Sequence, residues 1–135
     1  MIAVDASALV SILTREPGFE RLIEALAGSE AIIAPIGVFE TVLAVARKSA
    51  VSVDVAKGDV QAAILQFNLR IEPTTGLQAD IALEAHARFG KGRHPAALNM
   101  GDCFAYALAK AHGAALLFKG DDFVKTDIAL AVESP

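Results

Sequence analysis

The sequence predicts an α/β domain, a three-layer α/β/α sandwich around a mainly parallel central sheet, and three observations carry that expectation. Short apolar runs of strand length alternate with longer segments of helical spacing, the pattern that βα units leave in a chain. Hydrophobic residues make up 54% of the chain and charged residues 21%, which suits strands buried under helices and excludes a disordered segment. At 135 residues, a single domain spanning 1–135 buries roughly two-thirds of its unfolded surface. No repeat, low-complexity tract or linker divides it.

Ile2 to Val4 is a β-branched apolar run ending at Asp5 and reads as the first strand. Ala6 to Leu13 continues as a helix, and after the Glu16-Pro17-Gly18 break a second helix is spaced through Phe19, Leu22, Ile23 and Leu26. Ala31 to Ala34 is a brief apolar run stopped by Pro35. A helix then runs from Ile36 to about Ser49, with Phe39, Val42, Leu43 and Ala46 on one apolar face expected in the core. Val53 to Asn68 is helical through Val60, Ile64 and Phe67, and Arg70 to Glu72 reads as a short strand before Pro73. Leu77 to Phe89 is helical through Ile81, Ala85 and Phe89, and Gly90-Lys91-Gly92-Arg93-His94-Pro95 is a loop.

The stretch from Leu98 to His112 organises the rest. Its apolar residues Cys103, Phe104, Ala107, Leu108 and Ala111 follow helical spacing, Asp102 stands where the helix begins, and Gly113 stops it. Asn99, Met100 and Gly101 form a turn and cap ahead of it. A strand at Ala115 to Phe118, a turn at Lys119 to Asp122 and an apolar run at Ile128 to Val132 complete the chain.

A net charge of −4 gives the chain no overall field for nucleic acid. An acidic pocket filled by cations reverses that sign locally, so an enzyme acting on phosphates is not excluded. No apolar run reaches the roughly 20 residues of a membrane span, and Met1 leads into Ile2-Ala3-Val4 without a signal-like segment; a cytoplasmic protein is expected. The single cysteine, Cys103, is expected as a buried structural thiol.

Acids far apart in sequence fall at strand ends and beside apolar helix faces. In open α/β sheets, ligands bind beyond the carboxyl ends of the strands. Asp5 follows the first strand, Asp121 and Asp122 follow the Ala115 to Phe118 strand, Asp102 opens its helix, and Glu40 borders an apolar face. Each has a local explanation: Asp5 and Asp102 as helix caps, Glu40 paired with Arg47 or Lys48, Asp121 and Asp122 as turn formers. Taken together they make an oxygen-donor set with no clustered His or Cys, which favours Mg²⁺, with Mn²⁺ as a substitute, over Zn²⁺. Such ions serve phosphate-ester hydrolysis.

The opening I-A-V-D-A-S-A-L, Glu40 after a Pro-started helix, the segment G-K-G-R-H-P-A-A-L-N-M-G-D-C-F-A-Y-A-L-A-K, and L-L-F-K-G-D-D-F-V-K-T-D-I together resemble a PIN domain of the VapC type, over nearly the whole chain. The resemblance implies a metal-dependent endoribonuclease toxin, a homodimer, held inactive by an antitoxin whose tail covers the acidic groove. Asp5, Glu40 and Asp102 match the principal acids of that family and are expected to be catalytic metal ligands. The fourth is placed at Asp121, with Asp122 as the alternative register. Ser7 and Asn99 fit roles orienting carboxylates, as do Thr126 and Asp127. Lys91, Arg93 and His94 are either a phosphate contact or a solvated turn, while His86 and His112 read as ordinary helix residues rather than ligands. Two rivals remain at this level. A different Mg-dependent phosphohydrolase is one, although Asp5-Ala6-Ser7 lacks the Asp-x-Asp of aspartyl phosphatases and no P-loop or Gly-x-Gly-x-x-Gly follows a strand. The other is a non-catalytic binding module on the same fold.

Overall fold

The computed structural model describes residues 1–132. Its strands are β1 (Ile2–Val4), β2 (Ala31–Ile33), β3 (Leu69–Ile71) and β4 (Ala115–Leu117). Its helices are α1 (Ala6–Leu13), α2 (Phe19–Ala27), α3 (Pro35–Ser49), α4 (Val53–Gln66), α5 (Gly76–Phe89) and α6 (Met100–His112), followed by a 3₁₀ turn at Phe123–Lys125. The third strand starts one residue earlier than the sequence suggests, because Leu69 is the side chain that reaches the core. The Ile128 to Val132 run is no full strand; within it Leu130 makes a single parallel bridge to Leu116.

The four strands pair in the order β3-β2-β1-β4, and every pairing is parallel. At three residues each, these strands are too short to hold a sheet alone, so the flanking helices carry the stability. Side chains alternate across the sheet. Ala3, Ile32 and Leu116 face one layer with Phe89, Tyr106, Ala107 and Leu108 from α5 and α6. Ile2, Val4, Ile33 and Leu117 face the other with Leu9, Leu22, Val45 and Val60 from α1 to α4. This is the expected three-layer sandwich, with a core on each side of one sheet.

Two helices differ in detail from the expected pattern. In α3 the buried side is Gly37, Thr41, Val42 and Val45, while Phe39 and Leu43 are 63% and 42% exposed. Thr41 is tolerated inside because its hydroxyl donates to the Gly37 carbonyl (2.6 Å), and Gly37 lets the helix lie close on Ile33. In α6, Ala105, Tyr106 and Ala109 are buried along with Cys103 and Leu108, whereas Ala111 is exposed. The alanines let this helix pack against both the sheet and α5. Burial, with the nearby Asp102 charge, pushes the Cys103 thiol above its ordinary value, so it stays protonated and inert. Among the described residues, no helix is long and apolar enough to cross a membrane.

Candidate active site

The strand order reverses at β1, which has β2 on one side and β4 on the other. A crevice forms at such a point beyond the carboxyl ends of the strands, and Asp5 stands in it. Asp5 continues the ladder through its backbone N–H, which donates to the Leu117 carbonyl (2.9 Å), and it caps α1. Its Oδ2 accepts from the Ser7 backbone N–H (3.0 Å) and from the Ser7 hydroxyl (2.5 Å). The Ser7 Oγ in turn accepts the Lys119 backbone N–H (3.0 Å), so one hydroxyl ties the β1 and β4 ends together and orients the carboxylate. Oδ1 is left for the cavity.

Asp102 approaches from the other layer. Asn99 caps α6 in a reciprocal pair: the Asp102 N–H donates to Asn99 Oδ1 (2.9 Å), and Asp102 Oδ2 accepts the Asn99 N–H (3.0 Å). Again one carboxylate oxygen is occupied and the other is not. Glu40, in the second turn of α3, lies directly over Gly101; a Cβ built at that position would overlap its carboxyl group. Glycine at 101 therefore makes room for the third acid.

Asp5, Glu40 and Asp102 line one cavity of about 500 Å³. Asp5 is only 5% exposed. Burial pushes its carboxyl up to about 6 against the lowering effect of the Ser7 bonds, with Glu40 and Asp122 adding to the rise. Asp102 is also pushed up to about 6, first by burial and then by the charges of Asp5 and Asp122, against the lowering effect of the Asn99 N–H. Glu40 is raised by burial and by Asp102. Burial first and mutual repulsion second mark acids gathered in one place without a paired cation. None of the three enters an ion pair with a side chain of the described residues.

The donor set is carboxylate oxygen throughout, with one oxygen free on both Asp5 and Asp102, and so fits a hard divalent cation. Among the described residues, no three His, Cys, Asp or Glu side chains already form a closed metal-holding group. The acids share a cavity rather than a finished coordination shell.

Asp122 is the member of the Asp121-Asp122 pair whose charge acts on Asp5 and Asp102, although neither residue is among those lining the cavity. Asn99 and Ser7 stand where orienting residues are expected. Thr126 and Asp127 do not. The Thr126 hydroxyl donates to the Phe123 carbonyl (2.7 Å). Asp127 accepts from Tyr106 Oη (2.6 Å) and lies 3.5 Å from both Arg88 and Lys110, in a separate cluster against α5 and α6. Those partners hold its carboxyl below the usual range. Lys91, Arg93 and His94 are outside the acidic cavity; His94 accepts the Ala96 N–H at Nδ1 (3.0 Å) and meets Phe89 edge-on. The cations that do line the cavity are Arg47, Lys48 and Lys119, along with Glu16. The signal for Arg47 was its place two helical turns beyond Glu40. Lys48 pairs with Glu16 (2.6 Å), not with Glu40.

Comparison with known proteins gives the family and the fold. The PIN domain family matches residues 2–129. The chain is 38% identical to a VapC ribonuclease of Rhizobium meliloti, over 95% of this chain and 99% of that protein. It is 40% identical to a VapC ribonuclease of Mycolicibacterium smegmatis, over 95% and 98%. Its fold is similar to the crystal structure of Mycobacterium tuberculosis VapC20, a sarcin-ricin-loop-cleaving toxin, with a TM-score of 0.76 at 17% identity over 99% and 100% of the two chains. It also resembles a VapBC2 structure from Rickettsia felis, solved with a promoter DNA fragment, with a TM-score of 0.73 at 15% identity and 96% coverage of each chain.

Proposed function

The chain belongs to the PIN-domain family and within it to the VapC ribonucleases, and from that premise we propose that it is a metal-dependent endoribonuclease toxin of the cytoplasm, neutralised by a protein antitoxin. The observation that carries the reading is the meeting of Asp5, Glu40 and Asp102 in one cavity without a cationic partner. These three would hold the cation through carboxylate oxygens, and Asp122, whose charge acts on Asp5 and Asp102, is taken as the fourth acid in place of Asp121. When bound, Mg²⁺ or Mn²⁺ supplies the charge that polarises a phosphoryl oxygen and acidifies the attacking water. Ser7 and Asn99 keep the two aspartates aimed inward. A carboxylate oxygen of Glu40 or Asp102 not engaged by the cation would be placed to accept a proton from the attacking water. The hydroxyl of Ser7 lines the cavity but is committed to the Asp5 carboxylate and the Lys119 backbone N–H, an orienting role, so direct attack by water is the chemistry this reading assigns.

Purified protein is expected to cleave RNA with Mg²⁺ or Mn²⁺ and to stop when a chelator is added. Restoring the ion should restore cleavage, and the product of an adjacent antitoxin reading frame should suppress it. RNA binding without cleavage under every divalent ion tested would favour the non-catalytic module instead.

The reading includes a homodimer. A second cavity, about 580 Å³, lies between α5 and the start of α6 and is lined by Leu83, Met100, Phe104 and other apolar groups. Leu83 and Met100 are 68% and 67% exposed, an apolar surface suited to a second copy. Sedimentation of the purified chain should give twice the monomer mass, and Leu83→Asp should return it to monomer; a monomeric wild-type chain would refute this part.

A further inference from the structure

Resting on the ribonuclease reading, we propose that Arg47 binds substrate by gripping an RNA phosphate beside the one being cut. Three cations line the acidic cavity, and two of them are engaged: Lys48 Nζ is paired with Glu16 at 2.6 Å, and Lys119 Nζ donates to the Pro17 carbonyl (2.5 Å). Arg47 has no hydrogen bond or ion pair among the described residues. Its side chain is exposed, with its charge available to a ligand.

Its place on α3 matches that task. Arg47 follows Glu40 by seven residues, two turns along the same helix face. At about 1.5 Å per residue, its Cα stands roughly 10 Å from that of Glu40, and the long guanidinium arm reaches back toward the cavity it lines. A strand of RNA whose reacting phosphate sits at the acids therefore passes Arg47 with a neighbouring phosphate. The need for such a contact is electrostatic. The chain carries a net charge of −4, and its acids face a polyanion. A cation held by those acids offsets the reacting phosphate but not its neighbours, which need a positive group on the rim. Arginine suits this because its planar fork pairs with two phosphate oxygens at once.

An arginine in the last turn of a helix also favours the helix dipole, and the test separates the two roles. Anisotropy of a fluorescein-labelled single-stranded RNA of mixed sequence is measured against salt in the Asp102→Asn background, which keeps the probe intact. Adding Arg47→Ala should weaken binding about tenfold, as for loss of a charged hydrogen bond. It should also reduce the magnitude of the log–log salt slope by about 0.7, the value for one phosphate contact on a single strand. Arg47→Lys should keep the slope and lose part of the affinity. In the otherwise wild-type chain, Arg47→Ala should raise KM with kcat nearly constant, while Mn²⁺ affinity by calorimetry stays unchanged. An unaltered slope and affinity would overturn the proposal, as would a parallel fall in Mn²⁺ affinity, which would show Arg47 acting through Glu40. If wild-type protein binds RNA with the Arg47-dependent slope yet never cleaves, the ribonuclease reading fails and the contact stands. If it binds no RNA, both fail.

Discussion

Asp102→Asn is expected to lower RNA cleavage by more than about 100-fold while leaving the protein folded. Loss of a residue that merely supports a metal ligand costs 10- to 100-fold, and Asp102 is read here as a ligand itself. Asparagine is the informative replacement because its Oδ1 still accepts the Asn99 N–H that Asp102 Oδ2 accepts now. The capping box on α6 is therefore preserved whole, whereas alanine would remove its reciprocal half, leaving only Asn99 on the Asp102 N–H, and would confuse stability with chemistry. Circular dichroism and a thermal melt should match the wild-type chain or improve on it, since one like charge has left the cavity. A folded Asn variant that cleaves at the wild-type rate with the same metal dependence would sink the assignment.

The second large effect is on stability against pH in the metal-free protein. Asp5 is raised from 3.8 to about 6. A raised carboxyl favours folding while it is protonated, so its contribution is complete below about 4 and is lost as pH climbs through about 6. Wild-type protein without metal should therefore be less stable at pH 8 than near pH 5, and Asp102 and Glu40 push in the same direction. Asp5→Asn should flatten that dependence and raise stability at pH 8 by about 2–3 kcal/mol, taking 1.36 kcal/mol per pKa unit as the conversion. Added Mg²⁺ should stabilise the wild-type chain at pH 8 by binding the folded state and should do little for the variant. Denaturant melts at the two pH values, with and without the ion, measure all of this. A metal-free Asp5→Asn chain less stable than wild type at pH 8 would contradict the cost of the buried, crowded carboxylate at Asp5.

Asp5 and Asp102 were legible in the sequence because local rules place them. An acid directly after a buried strand caps the next helix, and an acid three residues after Asn99 completes a capping box. The alternation of strand and helix likewise exposed the sheet, since β1 and β2 are buried at every residue while only Leu69 of the edge strand β3 is. What escaped depends on contacts between distant segments. The α3 periodicity made Phe39 and Leu43 look like core, yet the helix turns Gly37 and Thr41 inward because a close approach to β2 leaves no room for larger groups. The choice between Asp121 and Asp122 rests on the entry to a three-residue 3₁₀ turn, which Asp122 directly precedes and whose register the sequence does not fix. Asp127 was drawn toward the acids by its nearness in sequence to them, but Tyr106, Arg88 and Lys110 hold it elsewhere. Arg47 was visible only as a possible partner for Glu40.

The cavity borrows one wall from each layer: Asp5 from the end of the central sheet, Glu40 from the helices on one side, and Asp102 from those on the other. Its acids span the chain from position 5 to position 122. During synthesis, then, a nascent chain lacks an assembled site until nearly its whole length has left the ribosome and both layers have docked.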